Sequence, residues 1–281
     1  MSAAARDVDL VVFDLDGVVY RGETVLPAAP ETVAALREQG WLVRFLTNNS
    51  SRSRQFYLER MAGMGIPCTE DEIMTSAFAT ACYFQEQGWT GCAMVVGEEG
   101  LFEEMALAGL QPMWSRDEAA VNLADYVVVG LDRDFDYKRL TNAQQAVFRG
   151  ARFIATNRDS TFPVEDRIIP GGGCMVAAIE TAVGERALTI GKPETYAAQL
   201  ILRRAQRAPR QAVMIGDRVD TDILMGRRAG MWTVMVLTGV GTSRDAERAP
   251  KEMRPHLVIP DLTGLPAALE EIRRRAGEGE P

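Results

Sequence analysis

The sequence predicts an α/β fold in which a parallel sheet is covered by helices. Short, largely apolar runs alternate with helical patterns over residues 8–78 and again over 186–237. Such alternation is typical of parallel sheets, and apolar runs of this kind indicate strands buried on both faces. The chain has 281 residues, more than one hydrophobic core usually organises, so we expect two domains.

The first block of the pattern begins with a strand over residues 8–13. A helix over 31–39 follows and ends at a glycine, after which residues 41–46 have the character of a second strand. A helix over 50–61 and a short strand over 73–75 complete this block.

The same order returns near the C-terminus, where strands over 212–215 and 233–237 flank a helix over 221–229. Between the two blocks lie further strand-like runs, interleaved with helical patterns, at 93–96, 126–129 and 153–155.

This middle region is long and apolar enough to form a second α/β domain. We find no repeat and no low-complexity linker, so we expect it to be inserted through short connections. The predicted division gives residues 1–78 and 186–281 to the first domain and 79–185 to the inserted one.

The composition excludes several classes of function. The net charge is −8, which disfavours binding to a nucleic-acid polymer, because that needs clustered Lys and Arg. No apolar run approaches the ~20 residues that span a bilayer, and no signal peptide is recognised, so we expect no membrane partner.

The cysteines also argue against a zinc site. Four of them are scattered without a C-x-x-C pair, and His256 is the one histidine in the sequence. We expect a cytoplasmic protein with reduced thiols at Cys68, Cys82, Cys92 and Cys174.

Two carboxylates, Asp14 and Asp16, follow the first predicted strand and precede Gly17. Ligands of open parallel sheets bind outside the carboxyl ends of the strands. Two nearby carboxylates repel one another, so such a pair usually has a cation, a shared proton or a catalytic role. The pattern favours a hard cation such as Mg²⁺, although acids that cap a turn would give the same residues.

A second acidic segment, Gly216 to Asp222, also follows a predicted strand and opens a helix. We expect Asp217, closest to its strand end, to be a metal ligand, and Asp222 to be an outer acid that orients coordinated water. Asp220 fits a surface or helix-capping position better.

Two further segments suit an anionic group. Thr47, Asn48 and Asn49 lie between a strand and a helix, where a hydroxyl and main-chain N–H groups can hold a phosphoryl oxygen, although an ordinary helix cap has the same composition. Lys192 lies in a Gly-Lys-Pro segment before the next helix and supplies a cation.

Together these segments resemble the four signature motifs of the haloacid dehalogenase superfamily phosphatases, in the family's order. The motifs are Asp14 to Gly17, Thr47, Lys192, and Gly216 to Asp222. The resemblance implies a Rossmannoid parallel sheet with helices on both faces and an inserted α/β cap domain.

The middle region resembles the cap of the NagD-like and 4-nitrophenylphosphatase-like branch, at residues 129–133, 155–159 and 170–173. We expect substrate choice to lie in this cap. Asn157, Arg158 and Asp159 are candidates for the loop that faces the leaving group, and local turn hydrogen bonding is the alternative. The glycines of 170–173 could equally form a flexible turn before a helix over 175–181.

The resemblance also implies a mechanism. Asp14 is the nucleophile that forms an aspartyl-phosphate, and Asp16 is the general acid and base. Thr47 and Lys192 hold the phosphoryl oxygens. Mg²⁺ is held by Asp14, by the main-chain carbonyl of Asp16 and by Asp217.

Other activities of the same fold remain open. A haloacid dehalogenase needs neither the acid at Asp16 nor the metal ligand at Asp217, so these residues favour phosphoryl chemistry. A phosphomutase or phosphotransferase would share the aspartyl-phosphate, and a binding protein could keep the fold without turnover. We expect a hydrolase of a small phosphorylated metabolite and prefer a homodimer, although no heptad indicates how it would form.

Overall fold

The computed structural model describes residues 8–164 and 167–278. Fifteen strands lie in this part of the chain: β1 (Leu10–Asp14), β2 (Tyr20–Arg21), β3 (Thr24–Val25), β4 (Leu42–Thr47), β5 (Ile73–Thr75), β6 (Cys92–Val96), β7 (Gln111–Trp114), β8 (Tyr126–Val129), β9 (Arg152–Ala155), β10 (Thr161–Pro163), β11 (Ile168–Pro170), β12 (Leu188–Thr189), β13 (Ala212–Gly216), β14 (Trp232–Val236) and β15 (Leu257–Ile259).

Eleven α-helices lie in the same described ranges: α1 (Ala29–Glu38), α2 (Arg54–Gly63), α3 (Ser76–Glu86), α4 (Glu99–Leu107), α5 (Glu118–Leu123), α6 (Tyr137–Phe148), α7 (Gly172–Val183), α8 (Tyr196–Ala205), α9 (Leu224–Arg228), α10 (Ser243–Arg248) and α11 (Leu265–Gly277). A π-helical turn over Val219–Ile223 leads directly into α9.

Two parallel sheets flanked by helices confirm the predicted α/β class. The larger sheet has the order β15-β14-β13-β1-β4-β5, and the smaller has the order β12-β9-β8-β6-β7. Strand β1 is central and pairs in parallel with both β13 and β4. Its five residues are all buried, as expected for a strand covered on both faces.

The chain forms two compact units. One contains the described residues up to Leu46, Leu58–Ile73 and the described residues from Thr195 onward. The other contains Thr47–Tyr57 and the described residues of Met74–Glu194. The smaller sheet belongs to the second unit, where Met94, Val127 and Phe153 pack with residues of α6 and α7 in one apolar core.

Helices α2 and α7 begin at residues other than those predicted. Helix α2 begins at Arg54 rather than at Ser50, because the Asn49 side chain accepts the Ser51 N–H at 2.9 Å and holds a turn there. Helix α7 begins at Gly172 rather than at Met175. A flexible turn at these glycines is therefore wrong for Gly172 and Gly173, which form the first turn of the helix.

All four cysteines lie in the part of the chain that the structure describes, and none of them forms a disulfide there. Burial raises the pKa of the Cys68 thiol to about 11, with the Glu72 carboxylate adding to the effect.

Among the described helices, none combines the length and apolar character required to cross a bilayer.

Candidate functional site

The structure places Asp14 as the last residue of β1 and Asp217 immediately after β13, the strand next to β1. Asp222 lies in the π-helical turn that follows. Each of these three acids offers a carboxylate oxygen, and the three oxygens lie within 4.8 Å of one another. The predicted meeting of carboxylates at the ends of neighbouring strands is therefore seen for Asp14, Asp217 and Asp222.

All three carboxylates are buried, Asp217 and Asp222 with exposed fractions of 1% each. Three anions so close together and so poorly solvated would repel strongly without a cation. Carboxylate oxygens are the ligands that Mg²⁺ and Ca²⁺ prefer. The donor set therefore fits a hard divalent ion.

Asp16 is half-buried and lies at the turn after β1, where its main chain forms an isolated bridge with Tyr20. Its side chain is not part of the three-carboxylate group. Asp220 differs from its neighbour Asp222, because its carboxylate is exposed and pairs with the Arg218 guanidinium at 3.0 Å. Asp220 thus occupies the surface position expected for it.

The turn after β1 requires glycine. Gly17 has φ +87°, and a Cβ added there would lie 2.8 Å from Oδ2 of Asp217 and 2.9 Å from the Cα of Gly239. A side chain at this position would be strained in its main chain and would displace the Asp217 carboxylate.

The segment Thr238 to Gly241, which follows β14, contributes to the same site although sequence reasoning gave it no role. The Val240 N–H donates to Oδ2 of Asp217 at 2.6 Å, and the Thr238 hydroxyl donates to the Gly17 carbonyl at 2.6 Å. A Cβ on Gly239 would lie 1.9 Å from Oδ2 of Asp217. The signal that could have found it is a glycine pair at the carboxyl end of a predicted strand.

Thr47 ends β4, and its neighbour Leu46 is the register partner of Asp14 in the sheet. The Thr47 hydroxyl accepts the Asn49 N–H at 3.1 Å. Thr47 and Asn48 are buried, which is unusual for polar side chains unless they are hydrogen-bonded.

Asn48 forms hydrogen bonds with other predicted site residues. Its side chain bonds the main chain of Lys192 twice and donates to Oδ1 of Asp159 at 2.9 Å. Its carbonyl accepts from the Asn157 side chain at 2.8 Å. The structure thus brings together Asn48, Asn157, Asp159 and Lys192 within the second unit.

Arg158 faces a different part of that unit. Its guanidinium donates to the Thr189 hydroxyl at 2.8 Å and to both carboxylate oxygens of Glu180. Burial raises the pKa of Glu180, but the hydrogen bonds and charge of Arg158, together with the Ala187 N–H, outweigh this effect and lower it. Arg158 and Glu180 therefore form an ion pair that supports the fold.

The glycines before and within α7 fit closely against the segment 157–159. A Cβ on Gly171 would lie 2.3 Å from the Asp159 carbonyl oxygen, and one on Gly173 would lie 2.4 Å from the Arg158 carbonyl oxygen. The Gly173 N–H donates to the Asp159 carbonyl at 2.9 Å. These residues are glycines because the main chain of the loop lies against the helix.

Comparisons with known proteins agree with this geometry. A family model described as haloacid dehalogenase-like hydrolase matches residues 11–111, and a second model of HAD hydrolase-like proteins matches 189–265. The human glycerol-3-phosphate phosphatase is 34% identical over 95% of this chain and 93% of its own length. Phosphoglycolate phosphatase 2 of Arabidopsis thaliana is 36% identical over 83% of this chain and 84% of its own.

Solved structures of similar proteins cover almost the whole chain. The p-nitrophenyl phosphatase from Archaeoglobus fulgidus matches with a TM-score of 0.84 and 34% identity over 93% of this chain and 99% of that one. NagD from E. coli K-12 matches with a TM-score of 0.81 and 32% identity, over 91% and 97%. The glycerol phosphate phosphatase from Mycobacterium tuberculosis, solved with magnesium, matches with a TM-score of 0.84 and 34% identity, over 94% and 78%.

The same mycobacterial enzyme was also solved with calcium, at a TM-score of 0.82 and 35% identity over 92% of this chain and 74% of that one. Phosphatases of this superfamily use a divalent metal, which agrees with the three-carboxylate group. The family matches, the length of the alignments and the buried acids lead to one conclusion: the chain belongs to the haloacid dehalogenase-like hydrolases, in their NagD-like branch, and is a phosphoric monoester hydrolase.

Proposed function

We propose that this chain hydrolyses a small phosphorylated metabolite with Mg²⁺, through an aspartyl-phosphate on Asp14. The observation that supports this proposal most directly is the group of three buried carboxylates, Asp14, Asp217 and Asp222, whose oxygens lie within 4.8 Å of one another. Carboxylates this close together favour a hard cation, and a cation beside a carboxylate nucleophile offsets the negative charge in phosphoryl transfer.

Asp14 and Asp217 would hold Mg²⁺ through their side chains, with the main-chain carbonyl of Asp16. Mg²⁺ would offset the negative charge shared by the phosphoryl group and the attacking carboxylate. Asp222 would orient water at the ion. The Asp222 carboxylate already accepts the Arg218 N–H at 3.2 Å, which fixes its direction.

In the first step, a carboxylate oxygen of Asp14 forms a bond to phosphorus while the bond from phosphorus to the leaving-group oxygen breaks. Asp16, protonated at this stage, gives its proton to that oxygen. In the second step a water molecule attacks phosphorus, Asp16 takes a proton from it, and the bond to Asp14 breaks. The products are the alcohol and inorganic phosphate, and Asp16 is protonated again.

We further propose, from the family pattern, that Thr47 and Lys192 hold the phosphoryl oxygens and that Asn48 and Asn49 belong to the same substrate-binding segment. The Lys192 ammonium would neutralise charge on the equatorial oxygens in the transition state. Both Thr47 and Lys192 are almost fully buried, so their polar groups would act in a medium of low dielectric constant.

The inserted domain, residues 79–185, is our candidate for the part that selects the leaving group. Within it, we propose that the segment of Asn157, Arg158 and Asp159 faces the leaving group, while the Arg158 side chain supports the segment through Glu180 and Thr189. Their side chains make the protein contacts described above, so we expect the segment to act chiefly by placing its neighbours.

The substrate class that we propose is a short phosphorylated metabolite. Two relatives carry the names glycerol-3-phosphate phosphatase and phosphoglycolate phosphatase, and both compounds are phosphate monoesters of a small, polar alcohol. A panel should therefore include these two, a sugar phosphate, a nucleotide and p-nitrophenyl phosphate.

The decisive experiment measures phosphate release from this panel with Mg²⁺ or with EDTA, for the native chain and for Asp14→Asn. We expect Mg²⁺-dependent turnover that the substitution abolishes. Undiminished turnover in Asp14→Asn would contradict the nucleophile, and a native chain that binds phosphate without turnover would favour the binding-protein alternative.

Two further proposals concern the state of the protein in the cell. We propose a homodimer, which light scattering of the purified chain tests directly. We also propose a cytoplasmic location, supported by four described cysteines that form no disulfide, and fractionation of the source cells tests it.

A further inference from the structure

The side-chain amide of Asn48 bonds both main-chain groups of Lys192. Nδ2 of Asn48 donates to the Lys192 carbonyl at 3.0 Å, and Oδ1 of Asn48 accepts the Lys192 N–H at 2.9 Å. The two residues are 144 positions apart in sequence, and their exposed fractions are 5% and 3%. The amide therefore fixes the peptide groups on both sides of the Lys192 Cα.

Asn48 is itself held in one orientation. The second hydrogen of Nδ2 goes to Oδ1 of Asp159 at 2.9 Å, so the amide cannot rotate by half a turn without placing two acceptors against each other. The Asn48 carbonyl accepts from the Ser76 hydroxyl at 2.6 Å and from Nδ2 of Asn157 at 2.8 Å. Four residues, Lys192, Asp159, Ser76 and Asn157, thus define where the amide points.

The residue before Lys192 is held equally closely. The Gly191 N–H donates to the Thr156 carbonyl at 2.8 Å. A Cβ on Gly191 would lie 2.4 Å from that carbonyl oxygen and 2.7 Å from Oδ1 of Asn48. Glycine is needed because the main chain leading to Lys192 lies between Thr156 and Asn48.

We propose that Asn48 is a positioning residue for Lys192, and that Asp159 acts on Lys192 through Asn48. This inference rests on the proposed role of Lys192 at the phosphoryl group. A lysine side chain is long and flexible, so the direction of its ammonium depends on a fixed main chain at its base. Displacing a charge-stabilising group by about 1 Å can lower a rate about 100-fold.

Asn48→Asp is the most informative substitution. Aspartate keeps the shape of the side chain but loses both N–H donors, so the bonds to the Lys192 carbonyl and to Asp159 are lost. We expect kcat/KM to fall by roughly 100-fold and the affinity for inorganic phosphate, measured by calorimetry in the presence of Mg²⁺, to fall with it.

A double-mutant cycle with Lys192→Met separates positioning from general destabilisation. If Asn48 acts through Lys192, then Asn48→Asp in the Lys192→Met chain should change kcat/KM and phosphate affinity by no more than about 3-fold. If the double variant loses kcat/KM and phosphate affinity by the product of the two single losses, the proposal is overturned, because Asn48 then acts independently of the lysine.

Two other variants distinguish loss of positioning from a defect in folding. Asp159→Ala removes one acceptor from a half-buried site and should give a smaller loss, also non-additive with Lys192→Met. Ser76→Ala is the matched control, because it removes a hydrogen bond to the Asn48 carbonyl but leaves the amide contacts with Lys192 intact. We expect Ser76→Ala to change kcat/KM less than about 3-fold, and a loss in Ser76→Ala equal to that of Asn48→Asp would contradict a specific role of the amide.

The same double-mutant cycle, measured by phosphate affinity, tests this inference separately from the proposed hydrolysis. A native chain without turnover whose phosphate affinity still shows coupling between Asn48 and Lys192 would reject hydrolysis and support the positioning role. A native chain with Mg²⁺-dependent turnover and no coupling between Asn48 and Lys192 would support hydrolysis and reject the positioning role.

Discussion

The main-chain N–H of Val240 donates a hydrogen bond to Oδ2 of Asp217 over 2.6 Å. Asp217 comes from the end of β13 and Val240 from the segment after β14, so two neighbouring strands fix one carboxylate. A charge-assisted bond of this kind would hold Asp217 in a fixed direction for the metal-binding role that we propose for it.

Gly239→Ala should weaken metal binding. Its Cβ would lie 1.9 Å from Oδ2 and 2.3 Å from Cγ of Asp217, so the carboxylate must move. We expect the Mg²⁺ concentration for half-maximal activity to rise about 10–100-fold, as measured by titration of phosphate release. Gly63→Ala is the control, because an added Cβ there meets no atom within 4 Å, and an unchanged Mg²⁺ requirement in Gly239→Ala would contradict the prediction.

Asp16→Asn should discriminate between leaving groups. An alkoxide needs a proton as it departs, whereas p-nitrophenolate leaves readily without one. We expect kcat/KM for glycerol 3-phosphate to fall by about 10²–10⁴ and that for p-nitrophenyl phosphate to fall by much less. Asp220→Asn, which alters an exposed acid nearby, should leave both values unchanged. Equal losses for the two substrates would exclude Asp16 as the general acid.

Arg158→Lys should lower stability rather than change substrate preference. Lysine cannot reproduce the paired bonds to Glu180 together with the bond to Thr189. We expect the free energy of unfolding in urea to fall by about 1–3 kcal/mol. The ratio of kcat/KM for glycerol 3-phosphate to that for phosphoglycolate should stay the same.

Arg149→Lys provides the control for that experiment, since Arg149 is exposed and its guanidinium makes a long contact, at 3.4 Å, with the Gln145 side chain. A change in the substrate ratio without a loss of stability in Arg158→Lys would instead mean that the guanidinium contacts the substrate.

His256 should make stability depend on pH. Burial, together with the charge of Arg227, lowers the pKa of His256 from 6.5 to about 4, while the Thr233 N–H donates to its Nδ1 at 3.0 Å. At pH values between about 4 and 6.5 the unfolded chain binds more protons at His256 than the folded chain does. The free energy of unfolding should therefore fall as the pH drops from 6.5 toward 4.

The matched variant for this prediction is His256→Asn, whose Oδ1 can still accept the Thr233 N–H but does not titrate. Urea unfolding at several pH values should show a shallower dependence in the variant than in the native chain. Parallel pH curves would show that His256 titrates alike in the folded and unfolded states.

The structure follows the sequence prediction where apolar runs alternate with turns along the chain. β5 and β8 have the predicted bounds, Ile73–Thr75 and Tyr126–Val129, because short apolar runs with β-branched residues between turns typically form strands. Asp14 and Asp217 could be located at strand ends for the same reason, since Asp14 ends β1 and Asp217 directly follows β13.

The structure differs from the prediction where a side chain or a distant main-chain contact decides the local structure. The Asn49 side chain delays the start of α2. The predicted single helix over 221–229 is a π-helical turn followed by the short helix α9, a feature that helical periodicity does not distinguish. The Asn48–Lys192 contact spans 144 positions and has no sequence pattern of its own.

The central place of β1 determines when the group of Asp14, Asp217 and Asp222 can form during synthesis. Leu10 pairs with Ala212, so the first strand acquires one of its two neighbours only after some 200 residues more have been added. At a translation rate of about 5–20 residues per second, that delay is roughly 10–40 s. Asp14 therefore stays without Asp217 for most of the time the ribosome spends on this chain, and a nascent chain truncated before β13 should bind no metal at Asp14.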